Sequence, residues 1–422
     1  MSWLPHGALP TEYANVEDYG AVAVPDGGAA FDSTDAILRA IATGLHVVIP
    51  TGEFYVSDVI HFGNLTQRCT FFSRGRIRLV TAEAQIRITG SRQVFERMWV
   101  TAQAGVDFQP CVLVEGADDV LFVGLLVGCS TNSTLLELRD CANIRLVGGE
   151  ISGGNPLNDT TGILFSGVRG FGSWGLTVHQ LQYGVVFATA TQNHCVAFQD
   201  GTIEACFEHQ VEVRGAVYGL SMLGWHMESG TDDVLDSHGA ITSRAGAAVF
   251  IRVLEGGGVY GGVFAGSVFG ALRTKQDGVP RRVFQIGGDW HGVSVYGCWH
   301  PDTTGDSFET ASIWELESTA SVENSGDYFN SWDNALVLED PAQMAAILYD
   351  PESTNQLGIR ISGSSFRARA SKIGFFGAEP VEPPTYTLGR EYDERNLGVS
   401  TVEDVLGTLL RDLAALGLVK VS

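Results

Sequence analysis

Proline is scarce in this chain, with 13 residues in 422, and charge is thin, at 18% Asp, Glu, Lys and Arg. Thin charge beside 45% hydrophobic residues excludes a disordered or proline-rich chain and leaves enough apolar side chain for a large core. No apolar run reaches the roughly 18 residues that a membrane-spanning helix needs. The opening, Met1-Ser-Trp-Leu-Pro-His-Gly-Ala-Leu-Pro10, has no basic region followed by an apolar stretch, so no secretory signal is expected. Basic residues are outnumbered, 26 Lys and Arg against 49 Asp and Glu, for a net charge of −23. Such a surface repels phosphate backbones and anionic membranes, so neither nucleic acid nor membrane insertion is expected, whereas neutral polysaccharides are compatible.

Paired cysteine motifs are also missing. Cys69, Cys111, Cys129, Cys141, Cys195, Cys206 and Cys298 are odd in number and show no Cys-x-x-Cys or finger spacing. The expectation is buried free thiols in a chain folded in a reducing cytosol, with no metal and no cofactor. There is no His-Glu-x-x-His helix and no serine nucleophile elbow. Gly256-Gly-Gly258 lacks the lysine of a phosphate-binding loop and reads as a tight turn.

What is abundant is glycine, 52 residues, among Val, Ile and Phe. That mixture predicts many short strands joined by tight turns. Near the N-terminus, Asp32-Ser-Thr-Asp35 offers helix-capping side chains. Ile37, Leu38, Ala40 and Ile41 follow at helical spacing, and Gly44 stops the helix. Val47 to Val56 reads as strand, turn, strand. From 58 to 370 one unit recurs about every 24 to 27 residues: an alternating strand, a glycine bend and a second short strand. Asp119–Cys129, Asn143–Gly153, Gly170–His179, Cys195–Glu204 and Gly219–Glu228 are successive copies.

One such coil cannot bury its apolar side chains alone. Stacked about 4.8 Å apart, coils pair every backbone group and share one core. The expected fold is therefore all-β, a single-stranded right-handed parallel β-helix. Its open ends need protection as exposed strand edges. The first helix suits one end as a cap.

After residue 370 the texture changes. Gly374 to Pro384 is an extended Pro/Gly connector. Ser400-Thr-Val-Glu403 is a capping box, and Val402, Leu406, Leu409, Leu413 and Leu416 form a short heptad seam. The expected organisation is an attachment peptide at 1–15, a cap at 16–57, the β-helix body at 58–370, a connector at 371–399 and an oligomerising helix at 400–422.

Two segments resemble known families. Val16-Glu-Asp-Tyr-Gly-Ala21, Pro25-Asp-Gly-Gly28, Asp32-Ser-Thr-Asp-Ala-Ile37 and Val48-Ile-Pro-Thr-Gly-Glu-Phe-Tyr55 resemble the opening of pectate-lyase-like β-helix proteins. Lys372-Ile-Gly-Phe-Phe-Gly-Ala-Glu-Pro380 and the leucine-rich terminus resemble the ends of tailed-phage fibre and tailspike proteins. Together the resemblances imply a homotrimeric virion protein that meets other virion proteins and a host surface glycan. Phage tailspikes often carry a sizeable N-terminal anchoring domain, and here only Met1 to Asn15 precede the first motif.

Cleavage of a polysaccharide needs paired carboxylates in an open groove, and sugar binding favours exposed aromatic faces. The candidate catalytic residues are Glu204, Glu228, Asp232 and Asp233, with the two glutamates placed on adjacent coils of one face. The candidate glycan-binding residues are Trp225, Trp290, Trp299 and Asp289, with Trp314 and Trp332 nearby. The bland alternative is that the glutamates close equivalent turns and the tryptophans pack the core. Without large insertions to build a groove, the reading favours a non-cleaving adhesin. A capsule or lipopolysaccharide depolymerase and a purely structural decoration protein stand as alternatives.

Overall fold

The computed structural model describes residues 13–338, apart from 25–30, 64–69, 108, 130–131, 154–159, 207, 229–232, 236–240, 245–248, 271–281, 299–311, 317–320, 324–325 and 330–335. The expected attachment peptide before residue 13, the connector at 371–399 and the seam of Val402, Leu406, Leu409, Leu413 and Leu416 lie outside the described residues, as do Asp232, Trp299 and Trp332.

The body is a right-handed parallel β-solenoid. One sheet stacks 11 strands, from Val59–Phe62 to Leu336–Leu338, and a second, bent sheet stacks 20. Ile144, Phe171, Val196 and Leu220 hold one ladder position on successive rungs, 27, 25 and 24 residues apart. This is the repeat that the sequence displays. All of these side chains are buried, and they join one continuous core. Aromatic rings stack along it: Phe62, Phe71, Phe95 and Phe122 in the early rungs, then Phe165, Phe171, Phe187 and Phe198.

A column of left-handed residues makes the bend in the larger sheet. Gly124, Gly148, Gly175, Asp200, Gly224 and Gly266 all have φ between 48° and 67°. Glycine adopts this conformation freely, while an ordinary residue loses about 1–2 kcal/mol there. The bend also resets the alternation. Leu220 and Met222 face inward before Gly224, and Trp225 and Met227 face inward after it.

At the N-terminal end, the helix Thr34–Ala42 buries Ala36, Ile37, Ala40 and Ile41 in the same core. Asp32 Oδ1 accepts from the Thr34 N–H at 3.0 Å, and Asp32 Oδ2 accepts from the Ser57 hydroxyl at 2.5 Å. Burial alone would raise the Asp32 pKa. The hydrogen bonds from Ser57 and Thr34 outweigh it and hold the carboxyl below its usual value. The strands His46–Ile49 and Glu53–Val56 follow, matching the predicted strand, turn and strand.

Two features depart from expectation. A long excursion interrupts the coils between His226–Glu228 and Val249–Val253. Within it Asp233–Leu235 pairs antiparallel with Ile241–Arg244. The expectation of a body without large insertions is therefore corrected. Cys111, Cys129, Cys141 and Cys206 are buried as expected, but Cys195 is exposed and sits at φ 54°.

Candidate functional site

A polar stretch of the outer surface lies just past the bend, on the short strands that end the rungs of the larger sheet. Two columns of side chains run there. Glu150, Thr177, Thr202 and His226 form one, and Ser152, His179, Glu204 and Glu228 form the other. Alternation explains the outward placement of those from Glu150 to His226 and from Ser152 to Glu204, since Ile151, Val178, Ile203 and Met227 are buried. The register makes Glu204 and Glu228 direct neighbours on adjacent rungs. Adjacent strands lie about 4.8 Å apart, so the two positions are one rung from each other.

His179 Nε2 lies 3.0 Å from Glu150 Oε1, one rung away. The Glu150 side chain is half exposed. Beneath Glu204 the thiol of Cys206 is buried, and burial pushes its pKa up, so it supplies no nucleophile. The connections after these strands differ in length. They span 153–159, then only 180–182 and 205–208, then 229–248. His179 and Glu204 thus close the two shortest turns, between longer ones.

The tryptophans distribute differently from the sequence reading. Trp225 and Trp290 are fully buried. Trp225 packs edge-on against Phe198 at 5.3 Å, and Trp290 stacks on Phe264 at 5.6 Å. Neither has a ring face left for a sugar, so their assignment as glycan contacts is corrected. Among the described residues the exposed indoles are Trp99 and Trp174. Trp174 ends the strand Arg169–Trp174, immediately before the bend at Gly175 and on the rung of His179. Its ring passes over Gly172, where an added Cβ would lie 3.4 Å away. Val123 and Val147, also exposed, precede it in the same column. Alternation counted from Phe171 and Ser173 places Trp174 outward, which is the signal that would have found it.

Asp289 lies on a separate part of the larger sheet. It accepts a hydrogen bond from the Tyr260 hydroxyl, which pushes that phenol up to about 12. His194, Tyr218, Tyr260 and His291 stack there with centroids 4.9, 4.9 and 5.5 Å apart. His194, Tyr218 and Tyr260 lie face to face, and His291 meets Tyr260 edge-on. The strand Asp233–Leu235 stands at the end of the Glu204–Glu228 column in sequence, within the excursion. Among the described residues no cluster of His, Cys, Asp and Glu is arranged to hold a metal ion, and no helix is long and apolar enough to cross a membrane.

The fold and this face define a parallel β-solenoid with a polar, indole-bearing outer strip. No protein-family model matches the sequence, and no curated protein matches it. Among solved structures, the chain is similar to the Agl-KA catalytic domain at 12% identity and a TM-score of 0.43, covering 79% of this chain and 69% of that one. It is also similar to PfbA, a surface adhesin of Streptococcus pneumoniae, at 10% identity and a TM-score of 0.40, covering 75% and 90%. The Dettilon tailspike protein is similar at 10% identity and a TM-score of 0.37, covering 74% and 68%.

Proposed function

We propose that the protein is a virion adhesin of the fibre or spike type, a homotrimer that contacts a host-surface glycan through the strip beside the bend. One observation carries this reading. Trp174 is exposed on the same rung as His179, with Glu150 and Glu204 on the rungs either side. An indole face covers the apolar side of a sugar ring while carboxylate and imidazole bind its hydroxyls. In this reading the helix Thr34–Ala42 caps the solenoid, the N-terminal peptide meets other virion proteins, and residues 400–422 clamp three copies.

The test is binding of purified protein to host cells and to extracted capsule or lipopolysaccharide. Loss of binding in Trp174→Ala with unchanged thermal stability supports the adhesin. A protein that enters virions yet never binds the host supports a structural decoration role instead.

The register of Glu204 with Glu228 favours a second reading, a polysaccharide depolymerase. Release of new reducing ends from host polysaccharide, abolished in Glu204→Gln and Glu228→Gln, would establish it.

A further inference from the structure

Five arginines of the solenoid are neutralised by glutamates. Arg76 and Arg78 hold Glu53, Arg87 and Arg139 hold Glu115, and Arg214 holds Glu212. Arg92, Arg97, Arg145 and Arg169 are different. All four lie on early rungs of the larger sheet, and none is in an ion pair among the described residues. In a chain of net charge −23 this local exception is conspicuous.

Two of them share a pocket. A depression of about 270 Å³ is lined by Arg92, Asp119, Val120, Leu121, Asn143 and Arg145. Its lining also bears an unusual backbone. Arg92, Asp119 and Asn143 hold φ of 60°, 58° and 55° at one corner on three consecutive rungs. Later rungs meet the same requirement with Gly170, Cys195, Gly219, Gly261 and Gly292. Three successive residues with side chains thus hold the corner where the pocket lies, and four of the five rungs that follow carry glycine there. Asn143 Nδ2 donates to Asp118 Oδ1 at 2.9 Å, which fixes the amide at the rim.

We propose that this pocket binds an acidic sugar residue, with its anionic group between the guanidiniums of Arg92 and Arg145 and its hydroxyls on Asp119 and Asn143. Guanidinium groups match a carboxylate with paired, charge-assisted hydrogen bonds, and Asp119 accepts from hydroxyls that a bare anion lacks. The inference rests on the glycan-contact reading and names the sugar class that reading leaves open.

The experiment is nitrogen NMR of the arginine side chains in the full chain, titrated at constant ionic strength with glucuronate, glucose and inorganic phosphate. Glucuronate is expected to saturate the Nε–H shifts of Arg92 and Arg145, with a midpoint at least about tenfold below that of glucose, while Arg169 does not saturate. Equal midpoints for glucuronate and glucose overturn the proposal, and so does phosphate matching glucuronate. Arg92→Gly suits the backbone at this corner, so the fold is kept. It is expected to abolish saturation at Arg145, and an unchanged midpoint there overturns the two-arginine site. The outcome is separable from the adhesin reading. Host binding lost in Trp174→Ala without a glucuronate preference removes only the acidic sugar. Glucuronate saturation in a protein that never binds host cells removes only the adhesin.

Discussion

The indole of Trp225 occupies the space that Gly201 leaves empty one rung away: a Cβ on Gly201 would lie 2.6 Å from Trp225 Cζ2. The two residues hold neighbouring positions just past the bend, where other rungs carry Leu125 and Leu176. One rung gives up a side chain and the next doubles its own. Trp225→Ala is expected to cost about 3–5 kcal/mol, as loss of a buried aromatic does. Gly201→Ala is expected to destabilise through overpacking. The pair Gly201→Ala with Trp225→Leu removes the clash with the indole and keeps only that of the new Cβ with the Leu176 carbonyl oxygen, 2.5 Å away. It should be less destabilised than the sum of its single variants, measured by chemical denaturation.

The His179–Glu150 contact is exposed on the carboxylate side, and exposed ion pairs are worth no more than about 1 kcal/mol. His179→Ala is therefore expected to leave the melting temperature almost unchanged while lowering glycan binding at least about tenfold. A large fall in melting temperature would place the pair among structural contacts.

Gly261 isolates the backbone contribution of a corner. Its φ is 63°, and an added Cβ would meet nothing within 4 Å. Gly261→Ala should then cost about 1 kcal/mol with no packing component. A neutral result in denaturant titration would show that the solenoid corner relaxes.

Acid should weaken the face of the smaller sheet. The Arg87 hydrogen bond, with Arg139 beyond it, holds the Glu115 pKa below its usual value. A lowered folded-state pKa contributes stability that is complete above the unfolded value, near 4.5, and is lost as pH falls through the folded value. Melting curves of the protein and of Glu115→Gln should differ at neutral pH and converge in acid. A constant gap down to pH 2 would contradict the assignment.

The proposed trimer is testable by shortening the chain before Ser371. The shortened chain is expected to run as a monomer in light scattering. A stable trimer would place the clamp elsewhere.

The solenoid was legible in the sequence because every coil repeats one physical solution. Phe122, Leu146 and Phe198 return at intervals that only stacking explains. The first helix was legible from its capping residues and its apolar face. The register of Glu204 with Glu228 followed from the same repeat. The tryptophans were misread for a definite reason. An indole beside acidic residues resembles a sugar site, but the left-handed residue at each bend shifts the alternation by one. Trp225, counted across Gly224, turns inward. The arginine pocket was invisible because it gathers residues from three rungs, and because the left-handed backbone at Arg92 leaves no trace in composition.

The excursion between Glu228 and Val249 has a consequence of its own. The stack resumes its count afterwards, with Met222 beside Phe264 and His226 beside Val268, as though nothing had intervened. A scaffold that tolerates an interruption of this size can exchange its loops without relearning how to fold. Sequence change can then accumulate in the turns while the shaft that carries them stays the same.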